Sequence, residues 1–267
     1  MSRTEACLIL LPARLCGRRA EIRLEAAPSA GMRHMTPGPR TLHRRRQSRH
    51  TDRIPLSFRA LGYLATLHRD PPVPVEQVAR ALERAGSPLR PSWLDFHERY
   101  AGYREPLGRE TAVLGIVHAE SYWLPPGEAS IEIQGDGRAS VSCAEVHGSF
   151  DYRLFDDGSF RSYGGGGPCA SFEVKIEQNA AFVEARSDGR RWGWISELGR
   201  VDGGTLEALR TSMGAKRIAE ASDRFATVWR APDAIWLERG GAVHLWAADE
   251  ARGRIVAFLS SVAKDRR

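Results

Sequence analysis

Two short turns constrain this chain more than anything else in it. Gly135-Asp136-Gly137 lies between runs of alternating polarity at 130–134 and 139–146, and Asp156-Asp157-Gly158 lies between 150–155 and 159–163. Glycine and aspartate supply the backbone conformations that tight hairpin turns need. Two successive hairpins predict an antiparallel meander, with one face on a core and the other in water. The apolar run at 112–118 predicts a continuous strand leading into it. Further strands are predicted at 225–230, 234–238 and 242–247, the last two joined by Arg239-Gly240-Gly241.

Helical periodicity precedes the first of these strands. Leu56, Phe58, Leu61, Leu64, Ala65 and Leu67 recur at helical spacing, and Asp70-Pro71-Pro72 ends the segment. A second helix is expected from Pro74 to Ala85, with Val75, Val78, Ala79 and Leu82 as its apolar stripe and Gly86 as its stop. A third begins with Ser92 as N-cap and places Trp93, Phe96, His97 and Tyr100 on one face, before Gly102. Ser171 is expected to cap a helix reaching Ala185, although 172–176 also fits a strand. Trp192-Gly193-Trp194 reads as a short strand or turn, 205–213 as a helix, and 255–262 as either element. Helices first, then a meander, a helix and more strands, with few parallel crossovers, predict an α+β fold with a largely antiparallel sheet and flanking helices.

Charge divides the chain. Residues 1–54 carry 12 Arg against 4 acidic residues, leaving 27 basic and 29 acidic residues beyond them. The basic balance therefore belongs to an N-terminal arm, expected to be disordered over 1–54 ahead of one domain at 55–262. A short apolar run at 6–13 is interrupted by Pro12 and followed by Arg14, which does not suit a secretion signal. No apolar stretch suits a membrane span, and the four Cys lack disulfide or zinc spacing. A cytoplasmic protein with free thiols is the expectation. Nucleic-acid binding is not expected of the body, and through the basic residues 1–54 it stands only as an alternative to a solvated tail.

The usual catalytic patterns are incomplete. No Gly-x-Ser-x-Gly occurs, and His97-Glu98 lacks the second His of a metalloprotease. His118-Ala119-Glu120 matches half of a zinc-deaminase pattern, but Pro168-Cys169 lacks the second Cys. Gly164 to Gly167 reads as a connection, because a phosphate loop needs the Lys and hydroxyl that follow its glycines. Asp156-Asp157 is accounted for by its turn. The expectation is therefore no catalytic residue, no metal and no cofactor, with a divergent hydrolase built from distant residues as the alternative. Trp192 and Trp194, which share a face in an extended strand beside Arg190 and Arg191, are the candidate partner contacts.

The segment Val75-Glu76-Gln77-Val78, Leu82, then Ser92-Trp93-Leu94-Asp95-Phe96-His97-Glu98-Arg99-Tyr100-Ala101-Gly102 resembles the entry of the SUKH superfamily. There a helix leads through a linker to an apolar segment ending near Gly, and then to a strand. The resemblance covers 56–262 loosely, with the motif confined to 75–118. It implies structural roles for Trp93, Phe96, Tyr100 and Gly102. It also implies a binding protein without turnover, an immunity protein that blocks a cognate toxin.

Overall fold

A computed structural model describes residues 55–107, 110–121, 123–146, 151–163, 167–195 and 201–264. The expected arm at 1–54 lies outside them. Among the described residues the fold is α+β, with six helices and three sheets, all of whose strand pairs are antiparallel. The helices α1 (Phe58–Thr66), α2 (Val75–Arg84) and α3 (Pro91–Tyr100) come first. Ser57 caps α1 by accepting from the Ala60 amide. The cap of α3 differs from expectation. Arg90 stands at N-cap and Pro91 fills the first turn, where its missing N–H costs nothing, so Ser92 is already helical.

The strands β1 (Arg104–Leu107) and β2 (Glu110–Leu114) form a hairpin, which β5 (Ala144–Val146) extends to three strands. A second sheet runs in the order β3 (Ile131–Ile133), β4 (Ala139–Ser142), β6 (Asp151–Phe155), β7 (Phe160–Tyr163), β8 (Gly167–Cys169). It contains both expected hairpins, with Asp136-Gly137 and Asp157-Gly158 at the turns. Two expected strands are shorter than their apolar runs. The 112–118 run leaves the sheet at Gly115, whose φ of 148° suits glycine. The 139–146 run breaks at Cys143, so that β4 and β5 belong to different sheets. Of the glycine connection, 164–166 lie outside the described residues, while Gly167 and Pro168 pair with Ser162 and Arg161 as part of β8, an edge strand where proline is tolerated.

The helix α4 (Phe172–Ala185) follows, with Ser171 accepting from the Val174 amide at its N-cap. The third sheet has the order β10 (Lys216–Ile218), β11 (Ala226–Ala231), β12 (Ala234–Arg239), β13 (Ala242–Ala248), β9 (Trp192–Ile195). The helices α5 (Gly203–Met213) and α6 (Asp249–Lys264) complete the chain, so the 255–262 segment is helical and begins earlier than its apolar run.

Helix α4 is the middle layer. Phe172, Ile176 and Ala180 join a core built from α1–α3 and the first two sheets. Ala181, Phe182 and Ala185 join a second cluster with Val228, Ile235 and Trp246 on one face of the third sheet. The other face of that sheet packs Trp236, Leu245 and Ala247 against Leu206 and Leu209 of α5 and Ile255 of α6. A helix enclosed on all sides loses its amphipathic stripe, and eleven of the fourteen α4 residues are buried.

Candidate functional site

Trp93, Phe96 and Tyr100 lie inward on α3, as their spacing demands. Trp93 is fully buried and its indole N–H donates to the Phe155 carbonyl at 3.1 Å. Phe96 and Tyr100 meet Phe172 of α4 at ring separations of 4.8 and 4.9 Å, and Phe172 meets Phe160 of β7 at 5.1 Å. Offset and edge-on rings at such distances attract beyond their area alone. Gly102 follows at φ +86°, and a Cβ there would stand 2.1 Å from the Asp70 carbonyl oxygen, so only glycine fits. These four residues hold α3 to its neighbours.

The imidazole of His97 is fixed by two backbone partners. Nδ1 accepts from the Ile116 amide at 3.1 Å, which leaves the proton on Nε2 to donate to the Val73 carbonyl at 2.9 Å. Burial holds its pKa below the ordinary histidine value. His118 donates through Nε2 to the Gly115 carbonyl at 3.1 Å, and burial lowers its pKa as well. Among the described residues no group of three or more metal-ligating side chains gathers at His118-Ala119-Glu120 or elsewhere. Asp157 accepts from the Ser159 amide and hydroxyl, the work of a turn residue. Burial pushes the thiol of Cys143 well up and that of Cys169 to about 11, away from thiolate chemistry.

Beneath α1 lies a buried polar cluster that periodicity does not reveal. Glu105 of β1 is fully buried and accepts from the Lys175 ammonium at 2.5 Å and from the Asn179 amide. The phenols of Tyr63 and Tyr152 stand nearby, and burial followed by the negative charge of Glu105 raises the pKa of both. Between Lys175 and Asn179 in α4, Glu177 accepts from the Ser57 amide at 2.6 Å, the Ser57 hydroxyl at 2.8 Å and Arg59 at 3.1 Å. On the third-sheet side, Gln178 accepts from Arg239 at 3.2 Å and donates to the Ala221 carbonyl. Charges removed from water need partners, and α4 receives them from both flanks. The only sequence signal was the density of polar residues, Lys175, Glu177, Gln178 and Asn179, in the middle of the helix.

Trp192 and Trp194 share one face of β9 and pack at the margin of the cluster around Phe182 and Trp246, half-buried. Trp192 lies between the guanidinium groups of Arg190 and Arg230, at 5.5 and 5.3 Å from its ring centre, and its indole donates to Asp188 at 3.0 Å. Cation–π contact and the hydrogen bond hold this ring in place. The fully solvated apolar surface lies elsewhere. Phe58 on α1 is 95% exposed and Leu61 50% exposed, and Gly62 and Ala65 share their face. The apolar residues that recur at helical spacing therefore divide between two faces, because Ala60, Tyr63 and Leu64 take the inward positions. Trp123 is 60% exposed, with its indole donating to the Val146 carbonyl.

Among the described residues no helix is long and apolar enough to cross a membrane. Comparison with known proteins finds no matching family model, no matching curated protein and no matching solved structure.

Proposed function

We propose that residues 55–262 form a protein-binding module that acts by stoichiometric contact, in the manner of an immunity protein blocking a toxin in the cytosol. The observation that carries this reading is the outer face of α1. Phe58, Leu61, Gly62 and Ala65 recur at the i, i+3, i+4, i+7 spacing of a docking helix, with the phenyl ring almost wholly in water. Large aromatic side chains standing in solvent are uncommon except at contact surfaces, where they become binding anchors. The candidate bases and nucleophiles point the same way. His97, Lys175 and Glu105 are each engaged by internal partners, and both described thiols are buried. The entry segment at 75–102, with its likeness to toxin-immunity proteins, narrows the partner class.

The test is co-expression of the chain with the product of the adjacent gene, followed by calorimetric titration of the purified pair. Saturation at equimolar ratio and rescue of growth support the reading. Phe58→Glu with Leu61→Glu is expected to weaken binding at least about tenfold, as loss of an interface anchor does, with the melting temperature unchanged. A purified chain that turns over a small-molecule or nucleic-acid substrate and binds no such product overturns it.

A further inference from the structure

We infer that Lys175 and Asn179 of α4 are the two ends of an intramolecular isopeptide bond, formed once per chain with Glu105 as its acid–base catalyst and with loss of ammonia. The buried ion pair described above is the state from which this step starts, and the step needs no partner.

Three observations bring the groups together. Lys175 and Asn179 stand four residues apart on one helix, so their side chains are neighbours on the same face, one turn apart. The lysine ammonium and the asparagine amide nitrogen both donate to one oxygen, Oε1 of Glu105. Two nitrogens bonded to the same oxygen lie within about 5 Å of each other, so the carbonyl carbon attached to one is within a rotamer change of the other. Water is excluded as well. Glu105 is fully buried, and Lys175, Asn179, Tyr63 and Tyr152 are each less than a tenth exposed. Holding an amine beside a carboxamide in a dry site removes the entropy cost of their encounter and keeps water from competing.

The step balances without an outside reagent. A proton passes from the Lys175 ammonium to Glu105 along their 2.5 Å hydrogen bond, leaving a neutral amine and a neutral acid. Burial favours that exchange, since solvent is not there to stabilise separated charge. The amine lone pair attacks Cγ of Asn179, and the Nζ–Cγ bond forms. Glu105 gives its proton to Nδ2 and takes one from Nζ, which its contact with both nitrogens allows. The Cγ–Nδ2 bond then breaks with its electron pair on nitrogen, and ammonia leaves. Glu105 ends as a neutral acid. The phenols of Tyr63 and Tyr152, kept protonated by burial and by Glu105, are neutral donors beside the reacting groups. The product holds no buried ion pair, and ammonia is lost to solvent, so the step runs one way.

The test is a tryptic map of the full purified chain, read by mass spectrometry. Trypsin cuts after Lys175 only while its amine is free, and an open chain yields peptides 162–175 and 176–186. The native chain is expected to yield one peptide, 162–186, lighter than its sequence by about 17 Da, the mass of ammonia. Asn179→Ala and Glu105→Gln are each expected to restore the two short peptides at their sequence masses. Glu105→Gln keeps the side chain's shape and an oxygen for both nitrogens, and its melting transition reports that it is folded. Two short peptides at their sequence masses from the folded native chain overturn the inference. A 176–186 peptide lighter by about 17 Da, with the cut after Lys175 retained, also overturns it, because that loss is a succinimide at Asn179. Lys175 joined to the Glu105 peptide with loss of about 18 Da overturns it too, since water has then left from a lysine–glutamate amide. A folded Glu105→Gln chain that still yields the joined peptide overturns the role given to Glu105. The decisive map is that of the native chain, so a variant that fails to fold does not suspend the result.

Discussion

The two flanks of α4 solve the same problem with different chemistry. Toward the third sheet, α4 presents Ala181, Phe182 and Ala185 to Val228, Ile235 and Trp246, a mainly apolar contact in which Gln178, bonded to Arg239 and the Ala221 carbonyl, is the polar member. Toward α1 and the first sheet it presents Lys175, Glu177 and Asn179, matched by Glu105, Ser57, Arg59, Tyr63 and Tyr152. The apolar contact tolerates small shifts, since dispersion and burial have little direction. The polar one demands every partner, because each charge is costly without its mate. The difference teaches where the fold is adaptable and where it is specified. α1 is fixed against α4 by directional bonds in addition to the apolar contact of Ala60, Tyr63 and Leu64 with the core around Ile176 and Ala180.

Substitutions can break or sharpen this contrast. The largest loss is expected from Trp93→Ala, which empties a fully buried site and removes one of the two hydrogen bonds to the Phe155 carbonyl, leaving that from the Gly158 amide. Chemical denaturation is expected to record about 3–5 kcal/mol. Lys175→Met comes next, at about 3 kcal/mol, because Glu105 is left charged in the interior. Combining it with Glu105→Leu is expected to recover most of that loss, since an apolar pair costs less than a widowed charge. A double variant as unstable as the single one would mean that Asn179 and the tyrosines, rather than the pair, govern the cluster. Trp192→Ala, at the half-buried margin of the apolar contact, is expected to cost about 1–2 kcal/mol in the same measurement. A loss as large as that of Trp93→Ala would erase the distinction between margin and core.

The smallest expected effect lies on the acid side. Burial depresses the folded pKa of His97 below the ordinary histidine value of about 6.5, so the unfolded chain takes up the proton first as pH falls. Stability is therefore complete above about pH 6.5 and declines as pH drops from there toward the folded pKa. His244 shifts in the same direction through burial and Arg239. His97 is more deeply buried, with both ring nitrogens bonded to backbone. Melting temperatures measured between pH 7 and 5 are expected to flatten more with His97→Asn than with His244→Asn. The reverse order would place the acid-sensitive contact in the third sheet.

The apolar half of this contrast was legible in the sequence, and the polar half was not. Both meander turns, α3 and the strands around Trp236 follow from local rules, turn chemistry and side-chain period, that act within a few residues. β1 reads Arg-Glu-Pro-Leu, a loop by composition, and becomes a strand whose Glu105 is buried only because Lys175 lies seventy positions later. β10 is three residues long, two of them basic, which gives periodicity nothing to act on. Period alone predicted the helix but did not say which of its apolar residues are buried, because a helix with apolar residues on two faces cannot declare which one turns inward. The tryptophans at 192 and 194 were correctly placed on one face. Their half-burial depends on Trp246 and Phe182, brought alongside by sheet pairing and by α4.

The central position of α4 also governs how the chain must assemble. Its contacts reach back 120 residues to Ser57 and 70 to Glu105, and forward 61 to Arg239. Closing such spans costs chain entropy before any contact repays it, which places the molecule among slow, topologically demanding folders. A nascent chain that has just completed α4 holds a helix with Phe182 and Gln178 still waiting for strands not yet made. Neither the residues before α4 nor those after it are then a finished unit. Dividing the gene on either side of this helix is expected to yield two aggregating fragments, whereas co-expression lets each supply the wall that the other lacks.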